Sequence, residues 1–380
     1  MKKLFYVGVC LLVLFEVVNV YFIMPMPGSQ RMASIDLAYL LYKWRWLFRA
    51  IFALMIVAGA PSAWRAPGRQ RFAVPVLLFF AAVVAYAINF QMVADRMFIA
   101  PKSVVMLPAD RNKVDTARLV VGVEIEGEAR AFPVQFIGYH HQVRDMVAGK
   151  PVMVSYCTVC RTGRVFSPVV DGHIETFRLV GMDHFNAMFE DATTHSWWRQ
   201  ANGEAIAGPS KGKALTELPS RQVRLSEWLR EHPRSLIMQP DSALATNYSK
   251  DFDYETGKSR KALTGTDTVS WHDKAWVVGI TVNGQSKAYD WNRLRREGVV
   301  NDVLGGKPIV LALASDKISF CAFVRPSATT SFAVRHDSLV AGAVTYAFNG
   351  QGENGALEAV NASQEFWHSW RTFQPATMKY

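Results

Sequence analysis

Two apolar runs near the start of the chain constrain its fold more than anything that follows. Residues 4–23 and 72–93 are almost unbroken hydrophobic stretches, and each has the roughly 20 residues a helix needs to cross a bilayer core. Between them, 47–64 is a weaker candidate: Arg49 sits near its start, and Gly59, Pro61 and Ser62 shorten its apolar stretch, so an interfacial helix is the alternative. Lys2 and Lys3 precede the first run as in a signal peptide. No small-residue cleavage site follows before Pro25 and further apolar runs do, so a retained helix is expected. Glu16 lies inside the first run and marks either a functional position or a polar contact with Asn19 and a neighbouring helix. The expectation is a membrane anchor over residues 1–98 with about three transmembrane helices and the lipid bilayer as its partner.

The net charge of +10 belongs mostly to this anchor. Residues 1–100 hold ten Lys and Arg against Glu16, Asp36 and Asp95, which leaves +7 there and a nearly neutral remainder. A nucleic-acid partner is rejected on that ground. Lys2, Lys3, Arg65, Arg69 and Arg71 flank the spans as cytoplasmic loops do. With three spans, the domain from residue 101 to 380 is expected outside the cytoplasm, on the periplasmic side of a bacterial cell membrane. Arg31, Lys43, Arg45 and Arg49 in the first loop run against that count, so the orientation hangs on the middle span.

Residues 101–380 carry an internal repeat without gaps at a spacing of 157. Val120 to Pro151 lies over Val277 to Pro308 with ten of 32 positions identical, among them Gly122 with Gly279, Gly127 with Gly284, and Asp145 with Asp302. Each copy alternates apolar and polar residues about a Gly turn, which predicts a β-hairpin; Asn283-Gly284 is a preferred type I′ turn pair. A short helix, a Gly-Lys-Pro turn and another strand should follow. The predicted fold class is therefore α+β: N-terminal transmembrane helices, then a mixed domain of two related hairpin-containing repeats near 118–180 and 275–335, with a more polar insert from about 181 to 268.

Cys157 and Cys160 form a C-x-x-C just after a predicted strand. The second copy has Ala314 and Lys317 at those positions, and Glu297 and Gly298 in place of His140 and His141. The first copy alone therefore carries two thiols and a His pair. Three readings follow. A redox pair uses one thiolate to attack and the other to resolve, with His140, Arg161 or Arg164 supplying charge, and needs no cofactor. A zinc or copper site takes Cys157, Cys160, His140 and His141 as ligands. A structural disulfide is the third. A thioredoxin-like arrangement needs a helix after the motif, whereas Arg161-Thr162-Gly163 and Val165-Phe166 predict a turn into a strand; a metal knuckle lacks its second C-x-x-C. Cys10 and Cys321 are most simply core residues.

These residues resemble the domain-of-unknown-function family numbered 3179. The resemblance rests on Tyr139-His140, Asp145, Gly149-Lys150-Pro151, Tyr156-Cys157-Thr158-Val159-Cys160 and Phe166. It continues through Ser196-Trp197-Trp198-Arg199-Gln200, Gly203 to Ile206 and Gly208-Pro209, and closes on Phe366-Trp367, Trp370 and Pro375. His141, Arg144 and Thr158 depart from the family pattern. The resemblance implies redox chemistry, since members are known with selenocysteine in this motif, but it brings no assigned activity, substrate or electron partner.

Function is expected from a membrane-tethered thiol redox protein with Cys157 as nucleophile, Cys160 as resolving thiol and His140 tuning the pair. The alternatives are a metal-binding module without turnover and a disulfide-stapled interaction domain. Substrate-binding candidates are His141, Arg164, Trp198, Gln200 and Glu204; Trp197-Trp198 and Glu204 either line a pocket facing Cys157 or are ordinary packing in a turn-rich segment. Met182, His184, Met188 and His195 are more simply core and surface residues than soft copper ligands.

Overall fold

A computed structural model describes residues 1–101, 103–353 and 355–380. The chain forms two compact units. The first comprises residues 1–99, 177–199 and 204–213; the second comprises 100–176, 200–203 and 214–380.

Three helices of the first unit, Lys2–Tyr21, Arg45–Trp64 and Gly68–Gln91, are long and apolar enough to cross a membrane. The middle one begins two residues before the expected span and carries Pro61 within its last turn. The first and middle helices approach closely because Gly59 has no side chain: a Cβ there would lie 2.3 Å from the Phe5 backbone nitrogen. Phe5, Val9, Ile56, Ala63, Val74 and Ala81 fill the space between the three helices. Leu54, Val57, Val76 and Phe79 stay exposed, as lipid-facing residues do. Cys10, expected in a core, is also exposed.

Glu16 does not pair with Asn19. Arg49 grips it bidentately, Nε to Oε1 at 2.7 Å and Nη2 to Oε2 at 2.8 Å, and Asn89 of the third helix donates to Oε2 at 2.9 Å. The acid out of place in one apolar run and the base out of place in the next are thus each other's partners, the usual solution for charge at membrane depth.

The same unit holds a four-stranded antiparallel sheet of Phe177–Asp183, Asn186–Asp191, Trp197–Arg199 and Ala205–Ala207. Trp197 is wholly buried, edge-on to Tyr39 with ring centroids 5.1 Å apart and tilted against Tyr42 at 5.3 Å. The Met182 amide donates to Ile23 O at 2.7 Å, and Arg178 bonds both Glu190 and Tyr42 at 2.7 Å. Part of the insert between the repeats therefore folds onto the N-terminal helices.

The second unit is a mixed α+β structure containing two segments of like construction. In the first, a hairpin of Leu119–Ile125 and Glu128–Pro133 leads through helix Val134–His140 into strands Gln142–Val147, Lys150–Cys157 and Thr162–Phe166. In the second, Trp276–Val282 and Gln285–Asp290 lead through helix Trp291–Glu297 into Val299–Leu304, Lys307–Leu313 and Phe320–Val324. The hairpin turns at Glu126-Gly127 and Asn283-Gly284 have positive φ at both positions, the type I′ geometry that matches strand twist.

Each segment ends in a strand, helix and strand that return to its first hairpin. Arg221–Arg224 pairs antiparallel with Leu119–Ile125, and Leu236–Met238 pairs parallel with Glu128–Pro133. Ala362–Phe366 and Met378–Lys379 repeat those pairings on the second hairpin. The helices between them, Leu225–Glu231 and Trp367–Phe373, lay Trp228 over Gly122 and Trp370 over Gly279. A Cβ would fall 2.4 Å and 2.1 Å from the respective rings, so both glycines clear space for a tryptophan. The returning strands also cross: Ala362–Phe366 packs on Thr162–Phe166, and Arg221–Arg224 packs on Phe320–Val324. That crossing brings the second segment to the cysteines of the first.

Candidate functional site

Cys157 ends one strand and pairs in register with Thr162, which opens the next; Thr158 to Arg161 make the turn, with Arg161 at φ 59°. A strand follows the C-x-x-C, as its sequence predicts. Both cysteines are wholly buried thiols, hydrogen bonded to each other. Burial pushes the Cys160 thiol well above its usual value, and its bond with Cys157 pushes the same way.

The returning strand and helix of the second segment cover this turn. The Phe366 amide donates to Cys160 O at 2.9 Å, and Ser369 hydrogen bonds the Cys160 side chain. Ser369 Oγ donates to Glu365 Oε2 at 3.0 Å. Glu365, itself buried, accepts at Oε1 from Ser363 Oγ at 2.8 Å and from Arg164 Nη2. His368 donates from Nε2 to Val159 O at 3.2 Å, and burial lowers its pKa to about 4, leaving it neutral. Burial also lowers the Lys274 pKa.

A second cover comes from the helical turn Asp253–Thr256. Tyr254 Oη donates to Thr158 O at 3.0 Å and lies 3.2 Å from Tyr156 Oη. Burial raises both phenols above their ordinary value. Arg161 is wholly buried and ties the two covers together. It donates to Gln364 Oε1 at 2.9 Å, to Tyr254 O at 2.8 Å and to Glu255 O at 3.2 Å, and its guanidinium lies 3.7 Å from the Trp276 ring centroid. Arginine suits this position because its planar fork spreads one charge over several acceptors and an aromatic face.

Cys157, Cys160, Arg164 and Gln200 share one site: Arg164 reaches it through Glu365, and Gln200 Nε2 donates to Thr162 O at 2.9 Å and Ser155 Oγ at 3.2 Å, clasping the cysteine hairpin. His140 is buried and hydrogen bonds Tyr248 Oη at 2.8 Å, while His141 caps its helix at φ 61° with Nδ1 on Tyr139 O at 3.1 Å. Burial lowers the His141 pKa to about 4. Trp198 and Glu204 belong to the first unit, where Trp198 Nε1 donates to Asp191 at 2.7 Å and Glu204 pairs with Arg199 at 3.2 Å. His184 there bonds Asp183 at 2.5 Å, and Met188 is buried in an apolar cluster. Among the described residues, no group of three or more His, Cys, Asp or Glu is gathered to hold a metal ion.

Glu365, Ser369, His368, Lys274 and Tyr254 escape the sequence reading. Glu365 and Ser369 flank the Phe366-Trp367 and Trp370 positions of the closing motif, which is the nearest signal to them.

Residues 101–377 match the family described as protein of unknown function (DUF3179), and the chain belongs to that family. Nothing among the curated proteins or the solved structures matches the chain.

Proposed function

We propose that the protein is a membrane-anchored thiol–disulfide redox protein acting outside the cytoplasm, with Cys157 as attacking thiolate and Cys160 as resolving thiol. The observation that carries this reading is the pair itself: two thiols on one tight turn, hydrogen bonded to each other, with Cys160 bonded onward to Ser369. Two thiols this close exchange a disulfide with little backbone movement. Cys160 is assigned as the resolving member, its pKa raised by burial and by its bond with Cys157. Substrate gains access by release of the Tyr254 cover, which is fastened to the turn at Thr158 O.

Three candidate spans with basic flanks at Lys2, Lys3, Arg65, Arg69 and Arg71 support placement outside the cytoplasm. Engagement of Arg49 by Glu16 removes one of the first-loop cations that spoke against it.

The test is redox titration of the full-length protein in detergent against glutathione buffers, with alkylation and mass spectrometry, alongside metal analysis of the same sample. A Cys157–Cys160 couple with a potential above roughly −300 mV is expected, since lower values mark inert structural disulfides. Stoichiometric zinc or copper lost on Cys157→Ser would replace the redox reading with metal binding.

A further inference from the structure

Cys160 is wholly buried and has no solvent at hand to receive its proton. Yet a resolving thiol must lose that proton to attack. Its hydrogen-bond partner Ser369 stands in the helix Trp367–Phe373 and donates from Oγ to Glu365 Oε2 at 3.0 Å. The other carboxylate oxygen, Oε1, is already occupied by Ser363 Oγ at 2.8 Å and by Arg164 Nη2. The oxygen that faces Ser369 is therefore the one placed to accept a proton. Thr162 Oγ1, 3.4 Å from Ser369 Oγ, sits on the same hydroxyl.

We propose that Ser369 and Glu365 are the proton path of the resolving thiol: Cys160 passes its proton to Ser369 as Ser369 passes its own to Glu365. This rests on the redox reading above and names the base that reading requires. In the first step, with the Tyr254 cover released, the Cys157 proton goes to solvent and its thiolate attacks one sulfur of a substrate disulfide. That S–S bond breaks, and the departing thiolate takes a proton from solvent. In the second step the Cys160 proton moves through Ser369 to Glu365 while the sulfur forms a bond to Cys157. The mixed disulfide breaks, and the released substrate thiolate takes the proton back from Glu365. The protein dithiol loses two electrons and two protons, and the substrate disulfide becomes two thiols.

Glu365 is supplied by the second segment, whose own turn carries Ala314 and Lys317 instead of cysteines. Arg164, which also lies 3.7 Å from Glu217, pairs with the Glu365 carboxylate and holds it in place. Other ionisable groups around the turn include Cys157, Tyr156, Tyr254 on Thr158 O, Lys274, His368 on Val159 O and Arg161, the last directed to Gln364, Tyr254 and Trp276.

The full-length protein in detergent, reduced, is mixed with oxidised glutathione, and both the Cys157–glutathione mixed disulfide and its resolution are followed by acid quench and mass spectrometry from about pH 5, above the ordinary carboxylate value, to about pH 9, just above the ordinary thiol value. In Ser369→Ala and Glu365→Gln the mixed disulfide should accumulate. Its resolution should slow at least about tenfold, a cautious figure beside the roughly 10²–10⁴ that positioned proton transfer contributes. The rate should then climb with hydroxide concentration, while Ser369→Thr restores the original profile. Glu365→Gln strips Arg164 of its carboxylate and endangers folding; Ser369→Ala leaves that pair intact and decides the matter. Resolution in Ser369→Ala at the wild-type rate with the wild-type pH profile would overturn the proton path while leaving the redox reading in place. A wild-type protein that forms neither mixed nor internal disulfide would overturn both.

Discussion

Arg49 holds Glu16 with two hydrogen bonds across two apolar helices, and Asn89 of a third helix bridges them by accepting from Arg49 at 2.7 Å and donating to Glu16 at 2.9 Å. Either charge alone at that depth lacks a counter-ion, and removal of one partner from a buried pair is far costlier than removal of both. Glu16→Ala or Arg49→Ala should each destabilise the helical unit by about 3 kcal/mol or more. The double variant should be milder than either single change. Unfolding in mixed micelles measures all three, and a double-variant loss equal to the sum of the two single losses would refute the coupling.

The paired glycines under Trp228 and Trp370 set a second expectation. Gly122→Ala and Gly279→Ala drive a methyl to within 2.4 Å and 2.1 Å of ring carbons with strands on the far side. Each should cost about 1–3 kcal/mol, the usual penalty of overpacking. Thermal unfolding of the two variants reads the cost directly, and an unchanged midpoint would mean that the tryptophans move aside freely.

Stability should fall at both ends of the pH scale. His141 and His368 have folded pKa values near 4, below the ordinary 6.5, so the fold binds fewer protons than the unfolded chain between those values. Stability from these groups is therefore complete above about pH 6.5 and is lost as pH falls toward 4. Cys160 shifts the other way, upward. Its contribution is complete below the ordinary thiol value of roughly 8.5 and declines as pH rises beyond it. Urea midpoints across the range should trace a dome. His141→Asn should flatten the acid limb, and Cys160→Ser the alkaline one.

Tyr254→Phe deletes the hydroxyl that fastens the cover to Thr158 O. A lost hydrogen bond of about 1 kcal/mol is equivalent to a roughly fivefold rise in the open population. Alkylation of Cys157 by iodoacetamide should quicken by about that factor, whereas an unchanged rate would place the route to the thiols elsewhere.

The legible parts of this chain are those with local signals. The apolar runs, the Gly turns, the strand after the C-x-x-C and the membership of family 3179 all show within a few dozen residues of sequence. The surroundings of the thiols do not, because Arg161 meets Gln364 203 positions away, and Val159 meets His368 across 209. No periodicity encodes such pairings. Trp228 over Gly122 is hidden for the same reason: identical glycines in two copies signal a constraint without saying what presses on them. The strands at 177–207 read as part of the domain around them, and contacts such as those of Trp197 with Tyr39 and Tyr42 and of Met182 with Ile23 reveal their place beside the helices.

The crossing of the returning strands has a consequence for biogenesis. When residues 157–160 emerge from the ribosome, the groups that will enclose them, Gln364 to Ser369, are still about two hundred codons from being read. Through that interval the thiols lie open to whatever oxidants and folding helpers they meet, and the interval ends only when Phe366 closes on Cys160 O. The order of synthesis thus writes a reactive phase into the youth of every copy of this protein, and the mature fold seals it.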